Sequence, residues 1–274
     1  MDATLGLGGH AKEIAKRLGP KGILIGFDAD TELLAKAKQN LTDILCRTIF
    51  INTNFRQIKS ALDKEGIKKI DKVLFDLGLN SEQFENSGRG FTFQKNEPLL
   101  MTLASKIEKG TLTAREIVNE WAEESLADII YGYGEERLSR RIAKAIIEAR
   151  KEKPIEATFD LVEIIKQTVP VFYTKRRIHF ATKTFQALRI ATNDEIGALR
   201  EGLTGAWEKL SDGGRVAALS FHSLESRTVK NFFKTKVAEG AGKLINKKVI
   251  GPEREEKLAN PRSRSAQLRV IQKI

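Results

Sequence analysis

The fold is decided by a stretch near the start of the chain, Asp2-Ala3-Thr4-Leu5-Gly6-Leu7-Gly8-Gly9-His10. It reads as the end of a β-strand, then a glycine turn, and then a helix over residues 11–18. Glycines permit positive φ angles and let the backbone approach a ligand closely, and a helix start offers unpaired N–H groups. The spacing differs from the G-x-G-x-x-G of dinucleotide-binding folds, which argues against a nicotinamide-dependent oxidoreductase. The alternative is a glycine turn with a structural role only.

Outward from this stretch, the first hundred residues alternate between apolar runs and segments of helical periodicity. Apolar runs lie at residues 23–27, 48–51 and 73–75, and helix-like segments at 31–41 and 58–65 separate them. Such alternation predicts a parallel sheet covered by helices. Ligands of such sheets bind beyond the carboxyl ends of the strands. Almost nothing precedes the first strand end, so we expect either a very short first strand or an absent N-terminal segment.

The middle of the chain has a different pattern. Residues 113–170 carry little strand signal and read as a series of helices, whereas the α/β pattern returns after residue 185 with a helix at 193–210 and strands at 215–220 and 267–274. We therefore predict one discontinuous α/β domain, residues 1–100 and 186–274. An all-helical domain, residues 101–185, is inserted into it.

Composition narrows the class of protein. The chain has 41% hydrophobic and 30% charged residues, no apolar run long enough to span a membrane, and no signal-peptide pattern at its start. Its one cysteine, Cys46, excludes an intramolecular disulfide and fits a reducing compartment, which we expect to be the cytoplasm. No metal site is predicted, because His10 and His179 lie far in sequence from His222.

The charge balance indicates a polyanionic partner. The formal net charge is +11, and lysine and arginine can neutralise phosphates and release counterions. Three groups of basic residues are candidates for RNA binding, with an ordinary solvated surface as the alternative for each. They are Arg137, Arg141 and Lys144 on one predicted helix face, the run Lys175, Arg176 and Arg177, and the C-terminal pair Arg262 and Arg264.

An acidic residue at the end of the second predicted strand suits a nucleoside-containing cofactor. Asp28 ends that strand, where a carboxylate can accept hydrogen bonds from both ribose hydroxyls. Asp30 is expected to cap the following helix instead.

Polar residues at two further strand ends are candidates for catalysis. Asp76 and Asn80 follow the third apolar run, where they could hold the hydrogens of an exocyclic base amine and direct its lone pair. A loop-capping role for Asp76 is the alternative. His222, within Ser-Phe-His-Ser-Leu-Glu at 220–225, is a possible third polar group. A Ser-His-Glu hydrolase is disfavoured because the chain has no G-x-S-x-G elbow there.

Motifs spread over the whole chain resemble those of the ribosomal RNA small-subunit methyltransferase H family. The resemblance rests on several motifs in the same order, which is more specific than any single glycine loop. Besides residues 2–10 they are DLGLNSEQ at 76–83, RGFTF at 89–93, YGEER at 133–137, ATKTFQALRI at 181–190, SFHSLE at 220–225 and NPRSRS at 260–265.

The resemblance implies a fold and an activity. The fold is a class I Rossmann-like methyltransferase core with an inserted helical domain. The activity is transfer of a methyl group from S-adenosylmethionine to the exocyclic N4 of a cytidine in the decoding region of small-subunit ribosomal RNA. The partner is that RNA or the assembling small subunit. Cofactor-binding positions carried over from the family are Gly8, Gly9 and His10 at the methionine end, Asp28 at the ribose, Phe55 near the adenine, and Asp76 and Gln83.

Two departures from the family keep alternatives open. Family members have additional chain before the opening motif, and Leu100 stands where they carry an acidic residue. The alternatives are a methyltransferase for another substrate class on the same core, or a non-catalytic RNA-binding relative. The sequence also leaves the oligomeric state open, including a homodimer.

Overall fold

The computed structural model describes residues 1–274 and contains two compact units. The α/β unit comprises Met1–Gly78, Ala104–Lys106 and Ile196–Ile274, and the helical unit comprises Leu79–Leu103 and Ile107–Glu195. These boundaries differ from those predicted at residues 100 and 185. The reason is packing: Phe91, Leu99 and Met101 are buried in the core of the helical unit.

Six strands and thirteen α-helices make up the regular structure. The strands are β1 Ile23–Asp28, β2 Arg47–Asn52, β3 Ile70–Asp76, β4 Leu210–Ser220, β5 Gly242–Leu244 and β6 Gln267–Lys273. The helices are α1 Gly9–Leu18, α2 Thr31–Asn40, α3 Ile58–Lys64, α4 Ser81–Asn86, α5 Ala114–Glu120, α6 Glu123–Gly132, α7 Ser139–Glu152, α8 Thr158–Thr168, α9 Val171–Thr174, α10 Thr182–Asn193, α11 Glu195–Lys209, α12 Ser223–Ala238 and α13 Arg254–Ala259.

The first three residues, here called the opening segment, join two groups of strands into one sheet. β1 and β2 are parallel, and a second group has the order β3-β4-β6-β5. Asp2 bridges them, in parallel with Gly26 of β1 and with Leu74 of β3. The order is therefore β2-β1-opening segment-β3-β4-β6-β5, with β6 antiparallel to both of its neighbours. This is the class I methyltransferase core, and the predicted fold class is confirmed.

Helices cover both faces of this sheet, because its central strands are apolar on both sides. On one face, Phe27 and Phe75 pack with Trp207 of α11 and Phe233 of α12. Leu24 belongs to a separate cluster that α1 and α2 supply. Asp30 caps α2 as predicted, accepting hydrogen bonds from the N–H groups of Glu32 and Leu33.

The helical unit has its own apolar core, which α5 to α8 and α10 supply. The helix predicted at 193–210 corresponds to α11, Glu195–Lys209, and this prediction is confirmed. Helix α10, Thr182–Asn193, was not predicted as a helix, and the return of the α/β pattern was placed after residue 185. Asp194 adopts the left-handed conformation with φ of 44° and ends α10 just before α11.

None of the helices combines the length and the apolar composition needed to cross a membrane.

Candidate active site

Three carboxylates lie at or near the carboxyl ends of β1, β3 and the opening segment between them. Asp2 is 1% exposed, and its Oδ1 accepts the N–H of Thr4 at 3.1 Å. The hydroxyl oxygen of Thr4 accepts the N–H of Asp76 at 2.7 Å. The backbone that leaves the opening segment is thereby tied to the end of β3. Asp2 and Thr4 were not predicted as site-building residues, because their hydrogen-bond partners are recognisable only in the folded chain.

Asp28 holds the glycine turn against the end of β1. Its Oδ2 accepts the N–H of Gly6 at 2.8 Å, and its Oδ1 accepts the N–H of Asp30 at 2.8 Å. Burial raises the pKa of Asp28 to about 6. Each carboxylate oxygen has two lone pairs, so these two bonds leave acceptor capacity for a ligand.

The glycine turn leads directly into the uncapped start of α1. Gly8 has φ of 84° and a Cβ there would lie 3.1 Å from Leu41, whereas Gly9 has open space where a Cβ would project. No side chain caps α1. The N–H groups of its first turn therefore remain available to an anionic group, which the helix dipole also favours.

His10, the second residue of α1, pairs with Asp76. Its Nε2 lies 3.3 Å from Oδ2 of Asp76, and the two side chains are 57% and 30% exposed. The other carboxylate oxygen, Oδ1, is buried and has no hydrogen-bond partner. The hydrogen bond to Asp76 raises the pKa of His10, against the lowering effect of burial. The structure therefore brings together Gly8, Gly9, His10, Asp28 and Asp76.

Phe55 and His222 also belong to the α/β unit, but each has a structural contact. Phe55 begins a 3-10 helix after β2 and packs edge-on against Phe75, with ring centroids 5.7 Å apart. His222 is the N-cap of α12: its Nδ1 accepts the N–H of Glu225, and its Nε2 lies 3.1 Å from a carboxylate oxygen of Glu225. The capping spacing of His222 and Glu225 was present in the sequence and went unnoticed.

Asn80 and Gln83 belong to the helical unit. Asn80 caps the short helix α4, because its Oδ1 accepts the N–H of Gln83 at 2.8 Å. Gln83 is 7% exposed, and its side-chain amide lies 3.5 Å from the carbonyl oxygen of Leu103.

The candidate RNA-binding residues are all exposed. Arg141 and Lys144 lie on α7, and Arg137 lies in the turn before it. The run of Lys175, Arg176 and Arg177 follows α9, where the Arg176 guanidinium stacks 4.1 Å from the ring centroid of Tyr173. Within the α/β unit, Arg262 and Arg264 lie on a 3-10 helix, Pro261–Ser265.

Replacing Asp2 with asparagine should stabilise the protein at neutral pH. Burial raises the pKa of Asp2 to about 6. The folded state therefore binds more protons than the unfolded state between pH about 4 and about 6, and the free energy of unfolding falls as pH rises through that window. Asparagine keeps the oxygen that accepts from Thr4 and removes the buried charge. We expect a gain of about 1–3 kcal/mol above pH 6.

Urea unfolding of both proteins at pH 4.5, 6 and 7.5 measures this gain. We expect the difference in the free energy of unfolding between the two proteins to be smallest at pH 4.5 and to widen towards pH 7.5. If the free energy of unfolding had the same pH dependence in both proteins, burial would not raise the pKa of Asp2.

Comparison with known proteins gives the family. A model of the MraW methylase family matches residues 1–274. The chain is 42% identical over 292 residues to "Ribosomal RNA small subunit methyltransferase H" of Clostridioides difficile (strain 630), covering 100% of this chain and 92% of that protein. It is 44% identical over 275 residues to the protein of the same name from Dictyoglomus thermophilum, covering 98% of this chain and 88% of that one.

Among solved structures, an rRNA methylase from Streptococcus thermophilus has a TM-score of 0.44 and 13% identity, covering 100% of this chain and 84% of that chain. The family match and the two close relatives confirm the resemblance drawn from the motifs. From its first residue to its last, the chain is matched by one family, and it belongs to the MraW methylases.

Proposed function

We propose that this protein transfers a methyl group from S-adenosylmethionine to the exocyclic N4 of a cytidine in the decoding region of small-subunit ribosomal RNA. The observation that carries the proposal is the grouping of Asp28, the uncapped start of α1 and Asp76 within a chain of the MraW methylase family. The relatives described above are named as ribosomal RNA methyltransferases, which disfavours another substrate class.

The donor set in the α/β unit fits the cofactor. The free N–H groups at Gly9 and His10 suit its methionine carboxylate, and the remaining lone pairs of Asp28 suit its ribose hydroxyls. We assign Phe55 to the adenine and Gln83 to the same site from the family resemblance. When bound, the cofactor supplies an electrophilic methyl group on a sulfonium sulfur.

On the acceptor side, Asp76 is the main candidate to hold the hydrogens of the base amine. Asn80 and His222 remain proposed helpers, although each uses one side-chain atom to cap a helix. Cys46 is 6% exposed and packs in the core beneath α1 and α2. A buried thiol suits direct transfer to the amine, without a covalent bond between enzyme and base.

The partner is small-subunit ribosomal RNA, and the exposed basic groups described above are its proposed contacts. Those on α7 and after α9 belong to the helical unit, and Arg262 and Arg264 belong to the α/β unit; each group by itself suits RNA phosphates. We propose the assembling small subunit as the natural form of the substrate. For the enzyme, the oligomeric state to be tested is a homodimer.

Replacing Arg137, Arg141 and Lys144 together with alanine should weaken RNA binding and flatten its salt dependence. Loss of three phosphate contacts should reduce the slope of log affinity against log salt concentration by about 2. A matched control replaces three exposed lysines of the α/β unit, Lys64, Lys68 and Lys69, which changes the net charge equally. Filter binding to a small-subunit RNA fragment, over a series of salt concentrations, measures both slopes.

Cofactor affinity should be the same in both triple variants. If the control variant lost as much affinity and as much slope as the α7 variant, the effect would come from overall charge and not from these three residues.

The function itself is tested by methyl transfer. Small subunits from a strain that lacks the enzyme are incubated with tritium-labelled S-adenosylmethionine and the protein, and the labelled nucleoside is identified by mass spectrometry. Repeating the assay with protein-free RNA tests whether the assembling subunit is needed as the substrate. Analytical ultracentrifugation tests whether the enzyme is a homodimer. N4-methylcytidine is the expected product, and label on any other position would contradict the proposal.

A further inference from the structure

His10 and Asp76 are arranged as a pair in which the histidine is the more exposed member. Of the carboxylate oxygens of Asp76, Oδ1 is buried and without a partner, and Oδ2 is paired with Nε2 of His10. More than half of the His10 side chain is exposed, and its other ring nitrogen, Nδ1, makes no hydrogen bond within the protein. A proton that leaves a bound substrate therefore meets the imidazole more readily than the inner carboxylate oxygen.

The pairing also fixes which nitrogen of His10 can accept a proton. A carboxylate accepts hydrogen bonds, so the proton of the neutral ring lies on Nε2, and the lone pair lies on Nδ1. The charged groups that face His10 are Asp76 at the end of β3 and Asp2 in the opening segment, and both favour the protonated ring. An imidazolium formed at this position is thus stabilised from the side opposite to its free nitrogen.

We propose that His10 is the base that removes a proton from the amine as it is methylated, with Asp76 orienting its ring. This inference rests on the proposed function and adds a catalytic role for the side chain of His10, distinct from the cofactor contact assigned to its backbone. The lone pair of the amine nitrogen forms the new N–C bond, and the C–S bond breaks with its electron pair remaining on sulfur. As the N–C bond forms, Nδ1 of His10 takes one proton from the amine nitrogen, and it later releases this proton to water.

The test compares His10→Ala with the wild type. We expect the single-turnover rate at saturating cofactor and RNA to fall about 100-fold. Cofactor affinity should stay within about threefold, because the backbone N–H groups remain. Added imidazole should restore part of the rate. The wild-type rate should rise with pH through the pKa of His10 and then level off, and the variant should lack this limb.

Lys12→Ala is the matched control on the same helix. Lys12 pairs with Asp43 on the surface, so its removal tests for disturbance of α1 without touching the pair. Its turnover should equal that of the wild type. The double variant of His10→Ala and Asp76→Asn should turn over no more slowly than Asp76→Asn alone, because His10 and Asp76 act as one unit.

A measurement without cofactor completes the test. The chain has three histidines, so the imidazole signals of His10 can be assigned in NMR spectra by their absence from the variant. The pKa of His10 should lie above its ordinary value and should fall in Asp76→Asn. If the His10→Ala protein turns over at the wild-type rate, or loses only cofactor affinity, the catalytic role of His10 is overturned and the proposed function is not. A wild-type protein that methylates neither particles nor RNA would overturn the proposed function as well.

Discussion

Asp76→Asn should lower the turnover number by about 10²- to 10³-fold while leaving cofactor affinity much less changed. An amide cannot supply the negative charge that favours a proton-accepting imidazole, and its NH2 group can turn towards Nε2 of His10 and force the wrong tautomer. The backbone N–H of Asp76, which donates to Thr4, is untouched by the change. Single-turnover methyl transfer and calorimetric titration of the cofactor separate the two effects.

Cys46→Ser is the control for the chemistry. This side chain is buried in the apolar cluster that α1 and α2 supply, and direct transfer does not use it. We expect turnover close to that of the wild type, provided that the variant has the same thermal midpoint. A folded Cys46→Ser protein that binds cofactor and RNA but is inactive would refute direct transfer.

Asp28→Ala should weaken S-adenosylmethionine binding by about ten- to a hundredfold. The change removes a charge-assisted acceptor from the ribose hydroxyls, and it also unpairs the N–H groups of Gly6 and Asp30. Because the pKa of Asp28 is about 6, the wild-type affinity should itself decrease as pH falls through 6 and the carboxylate becomes protonated. Calorimetry at pH 5 and pH 7.5 measures both effects.

Asp28→Asn separates the ligand contact from the support of the glycine turn. Asparagine keeps one acceptor oxygen for a backbone N–H group. The affinity of the Asp28→Asn protein for S-adenosylmethionine should no longer depend on pH around 6. Wild-type affinity in a folded Asp28→Ala protein would remove Asp28 from the cofactor site.

Local patterns in the sequence were enough for every strand except the short β5, Gly242–Leu244, and for naming several candidate residues at strand ends. The glycine turn, the strand ends at Asp28 and Asp76, and the cap at Asp30 are each set by residues close together in the chain. The helix at 193–210 was predicted and matches α11, whereas α10 was not predicted as a helix.

Contacts between residues that are far apart in the chain could not be predicted from local sequence patterns. The hydrogen bond from Asp76 to Thr4 spans 72 positions, and nothing in the sequence near either residue indicates it. The pairing of His10 with Asp76 is likewise a product of the fold. His10 and Asp76 were therefore predicted as site residues from the sequence, but their contact with each other was not.

The bridging position of the opening segment has a consequence for the order of folding. Asp2 must pair with Gly26 and Leu74 before the two groups of strands form one sheet. Closing these long loops costs conformational entropy, and this cost slows folding. The same event draws Gly6 to Asp28 and Thr4 to Asp76. On this basis, an intermediate with only one strand group formed would have almost no affinity for the nucleoside, so cofactor would select the completed sheet and slow its opening.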